Sequence, residues 1–323
     1  MKYIQLGSTG IQVPRICVGC MSFGEVFEDR PWVLDQETTT KMIQKAIDLG
    51  LTFFDTANTY SRGTSEVFLG KALRELGVKR EDVVIATKVY FNEGHLSKAA
   101  ILREIDGSLE RLGTDYVDLY QIHRFDYNTP IEETMETLNS LVEAGKVRAL
   151  GASAMYGYQF HNMQLAAEKH GWAKFETMQN HYNLIYREDE RELIPVCKQY
   201  NVSLIPYSPL AGGHLSRNTW DSDSLRSKTD TIAKAKYDYA KDRDMDIIMR
   251  VHELAEKKGF KMSEIALAWL LAKGVAAPII GATKEKYYDE AVRALEVELT
   301  PEEVLYLEEP YIAHEVTGAI KPE

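Results

Sequence analysis

The chain has 323 residues, a length that suits one large barrel or two medium domains. Apolar residues at 45% and charged residues at 27% describe a globular chain with a substantial core, and a net charge of −11 argues against a broad nucleic-acid surface, though not against an anion held in one basic pocket. No apolar run approaches the roughly 18 residues of a membrane span, Met1-Lys2-Tyr3-Ile4-Gln5-Leu6-Gly7 lacks a secretion signal's apolar core, and three cysteines make no disulfide framework, so the expected compartment is the cytoplasm.

Residues 2–14 alternate weakly around Ser8-Thr9-Gly10 and predict a hairpin ahead of the first long strand. From there short apolar runs alternate with amphipathic stretches to the end of the chain. The first run, 16–19, precedes a helix near 37–49 that Gly50 closes. Cys17 and Cys20 form a C-x-x-C there. Strand residues three apart face opposite ways, so the pair reads as structural rather than redox-active. The second run, 51–55, leads to a helix at about 65–76. The third, 83–88, leads to a helix with Leu102, Ile105, Leu109 and Leu112 on one face and Gly113 just past its end. The fourth is 116–123. Its helix has a start signal in Thr129-Pro130-Ile131-Glu132, with Thr129 as N-cap, Pro130 as first helical residue and Glu132 as returning partner of a capping box. Runs five to eight are 147–152, 175–179, 202–206 and 276–280, with helical stretches near 159–169, 188–199 and 284–295.

Near-continuous apolar strands point to a parallel sheet covered on both faces. Eight β/α units over this length fit a TIM barrel. An open doubly wound sheet would carry a Gly-rich dinucleotide turn after an early strand, and no G-x-G-x-x-G is present. The expected fold is therefore α/β, a single (β/α)8 barrel over 1–323 with an N-terminal hairpin. A polar insertion at 212–246, after the seventh strand, is expected to lie over the C-terminal mouth, where barrel enzymes keep their active sites.

Asp55 ends the second strand, Tyr60 follows five residues on, Lys88 ends the third and His123 ends the fourth. Each alone has a structural explanation, but adjacent barrel strands would bring all four to one rim. Carbonyl reduction needs a proton donor for oxygen as hydride reaches carbon. A tyrosine has a reference pKa of about 10, and a neighbouring lysine ammonium would move it down. Asp55 would orient Lys88, and His123 would hydrogen-bond the carbonyl oxygen. The histidines show no H-x-x-x-H or H-E-x-x-H spacing, so no metal is expected.

The run from Asp55-Thr56-Ala57-Asn58-Thr59-Tyr60 through Ser65-Glu66 to Leu69-Gly70 resembles the signature of the aldo-keto reductase superfamily. Ala86-Thr87-Lys88, Arg111-Leu112-Gly113-Thr114-Asp115-Tyr116-Val117-Asp118 and Gln121-Ile122-His123-Arg124 support it, and the similarity covers nearly the whole chain. His123-Arg124-Phe125-Asp126-Tyr127-Asn128-Thr129-Pro130 is similar to the microbial branch related to potassium-channel β subunits. The resemblance implies a catalytic tetrad of Asp55, Tyr60, Lys88 and His123, and NADP(H) bound across the barrel mouth without a Rossmann domain. By position, Ser153 and Gln179 would hold the carboxamide and Tyr207 would stack on the nicotinamide. Ser208, Pro209, Leu210 and Gly212 would lie under the pyrophosphate. Gly281, Thr283, Lys284 and Glu290 would form the adenosine and 2′-phosphate site, at a strand end that meets a helix N-terminus. Three positions depart from the pattern. Ala154 stands where many relatives have Asn, Gly212 replaces a frequent Arg, and Tyr287 and Ala291 replace the usual Arg and Asn near the adenine.

The expected pocket is lined by Met21, Phe23, Trp32, Tyr60, Tyr90, His123 and Tyr207, walls that suit small aldehydes or ketones. Arg124 either recognises a carboxylate or phosphate on the substrate or, the favoured reading, pairs with an acidic neighbour such as Asp126. The main expectation is an NADP-dependent carbonyl reductase. A redox-sensing accessory subunit that binds NADPH and turns over slowly is the alternative, and a metal-dependent barrel hydrolase lacks ligands.

Overall fold

The structure, a computed structural model, describes residues 1–28 and 30–313, apart from the Arg226 side chain. Residues 314–323 of the expected domain lie outside the described residues. Strands β1 (Tyr3–Gln5) and β2 (Gln12–Pro14) pair antiparallel as the predicted hairpin, with Tyr3 opposite Pro14. Eight parallel strands follow: β3 (Cys17–Gly19), β4 (Phe53–Asp55), β5 (Val84–Val89), β6 (Val117–Ile122), β7 (Val147–Ser153), β8 (Phe175–Gln179), β9 (Ser203–Leu204) and β10 (Ile279–Gly281). They neighbour one another in chain order, and β10 pairs back onto β3. The seam between β9 and β10 is closed by the amides of Ala276 and Ile279, each donating at 2.9 Å to the carbonyls of Leu204 and Pro206. The sheet is a (β/α)8 barrel.

Helices α1 (Gln36–Asp48), α2 (Thr64–Glu75), α3 (Lys98–Leu112), α4 (Ile131–Glu143), α5 (Gly157–His170) and α6 (Leu193–Gln199) follow β3 to β8 in turn. Asp35 and Ser97 cap α1 and α3 by accepting backbone amides. The predicted cap of α4 is not formed. Thr129 turns its hydroxyl to Asp126, donating at 2.7 Å, and Pro130 takes the N-cap position with no side-chain cap. The hydroxyl is oriented by the buried carboxylate of Asp126, a strong acceptor, and the helix begins one residue later than predicted.

The insertion after β9 is more ordered than a loop. It carries α7 (Leu225–Thr229), α8 (Thr231–Tyr237) and the start of α9 (Lys241–Lys258). Helix α10 (Met262–Ala272) then precedes β10, and α11 (Lys286–Arg293) and α12 (Pro301–Glu308) complete the described chain. Periodicity does not predict α10, because this helix is buried on nearly every side and so needs no polar stripe. Among the described residues no helix is long and apolar enough to cross a membrane.

Two cores result. Leu6, Ile11 and Val13 of the hairpin segment pack under the barrel against Cys17, Phe53, Ala86, Leu119, Ala149, Ile205 and Ala277. Cys20 belongs instead to the larger core between sheet and helices. The three cysteines are free and buried, and burial raises each thiol, so the C-x-x-C spacing places one sulfur on each side of the barrel wall.

Candidate active site

The barrel interior changes character along each strand, and the period of two decides where. On β4 the inward residues are Phe53 and then Asp55, on β5 Ala86 and then Lys88, and on β6 Leu119 and then Gln121. The lower members join the apolar plug. The upper members form a polar layer beneath the C-terminal mouth, completed by Gln179 of β8. Gly151 of β7 makes room for it. A Cβ there would meet Thr177 Oγ1 at 2.4 Å and Gln121 Cγ at 2.9 Å.

Within this layer the Lys88 ammonium uses three donors. It donates to Asp55 Oδ2 at 2.6 Å, to the Thr56 carbonyl at 2.8 Å and to Tyr60 Oη at 3.2 Å. Lys88 has no exposed surface and Asp55 is 2% exposed. The other oxygen of Asp55 accepts the side-chain amides of Gln121 at 3.0 Å and Gln179 at 2.8 Å. Gln121 is thus a further member of the site, present in the quoted sequence motif but given no role by it. Tyr60 meets the edge of the His123 ring with centroids 5.7 Å apart.

Burial works against the Lys88 charge, yet Asp55 and Tyr60 outweigh it and hold the pKa above the ordinary lysine value. Burial also dominates at Tyr60. Lys88 pulls the phenol down, but the net direction is upward, opposite to the sequence expectation, because desolvating the phenolate exceeds the attraction of one ammonium already committed to Asp55. The phenol therefore keeps its proton at neutral pH. Burial, with help from Lys88 and Arg124, pushes His123 well below its ordinary value, so its imidazole is neutral. Its Nδ1 is buried without a hydrogen-bond partner among the described residues.

The expected lining is only partly assembled. Phe23 is wholly buried and packs in the larger core between sheet and helices, as a large apolar ring is expected to. Met21 is half-buried on the same turn, and Trp32 is almost covered. Tyr90 stacks on His95 rather than on the site. Besides Tyr60, it is the neighbouring Phe91, 49% exposed, whose ring packs on His123, at 4.9 Å and edge-on. The sequence reading missed Phe91 because a period of two carried past Lys88 offers Tyr90 and not its neighbour; β5 ends at Val89, and beyond it the alternation no longer holds. Arg124 does not pair with Asp126. That carboxylate is taken by the amides of Leu96 and Asn128 and the hydroxyl of Thr129.

Of the expected cofactor contacts, Ser153 donates to the Gln179 carbonyl at 2.9 Å, and Tyr207 lies parallel to His181 with centroids 5.2 Å apart. After β9 the backbone enters the left-handed region at Ser208, Ala211, Gly212 and Gly213, a turn geometry that can direct amides toward an anion. Ala233 and Tyr237 of α8 lie over Gly212, so the insertion covers this turn. Pro209 is buried and Leu210 half-buried beside it. Beyond β10, Gly281 and Lys284 are exposed and Thr283 half-exposed. Glu290 is drawn to the start of α10, accepting from Lys261 Nζ at 2.6 Å and Ser263 Oγ at 3.0 Å. Of the departures, Ala154 has a φ of +43°, Tyr287 is exposed and Ala291 is buried in the core.

Residues 15–312 match the model of the Aldo/keto reductase family. The chain is 43% identical to a versiconal hemiacetal acetate reductase of Aspergillus parasiticus, over 97% of both chains. It is 42% identical to aldo-keto reductases of Fusarium vanettenii and Metarhizium robertsii, in each case over 98% of this chain and 93% of the relative. With a polar layer of this composition under the mouth of a (β/α)8 barrel and a match over almost its whole length, the chain belongs to the aldo/keto reductase family and is a nicotinamide-dependent oxidoreductase of carbonyl compounds.

Proposed function

We propose that the protein reduces small aldehydes and ketones to alcohols with NADPH, and that Tyr60 protonates the carbonyl oxygen. The observation that carries this reading is the Lys88 ammonium bound to both Asp55 and Tyr60 beneath the His123 edge. A half-buried phenol that keeps its proton is a donor in waiting. As negative charge grows on the oxygen, the phenol gives up its proton, and the phenolate left behind faces Lys88, which Asp55 holds charged. His123, neutral, donates a hydrogen bond to the same oxygen. Gln121 and Gln179 fix the Asp55 carboxylate so that its charge stays directed at Lys88.

A nicotinamide cofactor fits the mouth. Tyr207 Oη and Asn180 Oδ1 are buried there without hydrogen-bond partners among the described residues, and the left-handed turn at 208–213 lies alongside. When bound, the nicotinamide supplies the hydride. Ser153 and Gln179 would hold its carboxamide, Tyr207 its ring, and Ser208, Pro209, Leu210 and Gly212 the pyrophosphate. Gly281, Thr283, Lys284 and Glu290 would hold the adenosine end, where exposed Lys284 favours a 2′-phosphate. Three free, buried cysteines suit the cytoplasm.

The test is loss of 340 nm absorbance with a panel of small aldehydes, using NADPH and NADH in parallel. Tyr60→Phe is expected to lower kcat at least about 100-fold and to leave NADPH affinity nearly unchanged. Unaltered turnover in that variant would sink the mechanism. Lys284→Ala is expected to weaken NADPH more than NADH, and equal losses would remove Lys284 from the 2′-phosphate. Tight NADPH binding without turnover on any aldehyde would favour the redox-sensing role.

A further inference from the structure

Two cations at the mouth have no task in the reduction described above. Arg124 follows His123 directly and is half-buried. Its Nη1 donates to the His123 carbonyl at 2.5 Å, and its guanidinium lies 5.4 Å from the centre of the Phe91 ring. Its nearest acidic neighbour in sequence, Asp126, is fully engaged elsewhere. Lys236 comes from the other side, on α8 of the insertion. Its Nζ stands 4.5 Å from the centre of the Tyr207 ring. Neither cation forms an ion pair with a described residue.

Lys236 is not a free surface lysine. The next residue, Tyr237, is fully buried and anchors α8 to the barrel. Its Oη lies 2.6 Å from His181 Nε2 and accepts from Asn183 Nδ2 at 3.2 Å, and Asn183 also donates to the Ser208 carbonyl at 2.9 Å. The anchor fixes where Lys236 points. Burial first, and the charge of Arg124 second, push Lys236 down to about 8, and Arg124 also acts on Tyr207, Tyr60 and His123. Half-buried cations are ordinarily paired, because desolvation without a counter-charge is costly. Two of them facing one aromatic mouth lack an anion.

We propose that Arg124 and Lys236 form a carboxylate-binding subsite, and that the preferred substrates are aromatic aldehydes carrying a carboxylate on the ring. This rests on the reductase reading of the same site. The rings of Phe91 and Tyr60 supply flat walls, and the planar guanidinium suits a carboxylate placed beyond the carbonyl. The carboxylate belongs to the substrate rather than the cofactor, since Arg124 is joined to the residue aimed at the carbonyl. Lys284 follows β10, away from β6, and Lys236 reaches in from α8 across the turn after β9.

Two measurements test it. The first compares kcat/KM for 4-carboxybenzaldehyde and its neutral methyl ester. Wild type is expected to favour the acid at least tenfold, and Arg124→Met and Lys236→Met are each expected to lower that ratio at least tenfold, with Lys236→Arg retaining most of it. The second titrates benzoate calorimetrically into protein saturated with NADP+, where both Met variants should bind at least tenfold more weakly. A wild-type ratio near one overturns the proposal. So do Met variants that lose NADP+ affinity while keeping the ratio, which would assign the cations to the cofactor. Benzoate binding that needs both cations, in a protein that reduces no aldehyde, would uphold the subsite and discard the reductase reading.

Discussion

At the scale of single residues, the site depends on one ammonium having three acceptors and no exposed surface. Removing Lys88 should therefore damage more than chemistry. In Lys88→Met the side chain keeps its bulk, but Asp55 is left as a buried carboxylate with two amides and no cation. Breaking one half of a buried pair costs about 3–5 kcal/mol, and urea unfolding should show a loss of that size together with loss of activity. A variant as stable as wild type would mean the ion pair is not shielded as drawn. Ala154 offers the opposite case. A residue with a Cβ pays strain at a φ of +43°, and asparagine tolerates that region better than alanine. Ala154→Asn should raise stability by about 0.5–1 kcal/mol and tighten nicotinamide binding severalfold. Weaker binding would show that the buried amide finds no partner there.

At the scale of elements, several signature residues hold helices together rather than touching substrate. Glu66 of α2 is buried, accepts from Thr87 Oγ1 at 2.5 Å on β5 and binds Arg111 Nε of α3 at 2.7 Å. One turn later Gly70 lets α2 close on the end of α3. A Cβ there would lie 2.0 Å from the Leu112 carbonyl oxygen, which is backbone and cannot rotate away. Gly70→Ala should cost about 1–3 kcal/mol or more, read as a lower urea midpoint with little change in KM for whatever protein remains folded. An unchanged midpoint would show that the seam can open without penalty. The strands, the hairpin and the rim positions of Asp55, Lys88 and His123 were legible from the sequence because a period of two fixes which strand residues share a face. The cap at Thr129 was not, since its hydroxyl turns to a buried carboxylate three residues earlier and the helix starts one residue later, with Pro130 at its N-cap. Nor was α10, whose enclosure removes the polar stripe that periodicity detects. Phe91 and Gln121 were missed for one shared reason: the groups they meet, His123 and Asp55, lie far away in sequence.

At the scale of the whole molecule, acid should loosen the fold from the mouth inward. His214, in the turn after β9, stacks on Trp220 at 4.0 Å and meets the edge of Tyr237, the anchor of the insertion. Burial and Arg217 push its imidazole down to about 4, and His123 is also held well below its usual value. In the unfolded chain both take up a proton near pH 6.5; in the fold they stay neutral well below that. Through this window the unfolded state binds more protons, so stability falls as pH falls. Asp189 works in reverse. Burial raises it to about 7, so the fold holds a proton there that the unfolded chain releases, and it offsets about one histidine over the same range. The two effects separate by difference. His214→Gln removes one titrating group and leaves Asp189 in place, so between pH 6 and 4.5 its unfolding free energy should fall less steeply than that of wild type, by about 1.4 kcal/mol per pH unit. Parallel slopes would mean His214 is already protonated in the fold. A shallower slope would tie the acid limit of the protein to the turn beneath its insertion, the same turn on which cofactor binding is proposed to depend.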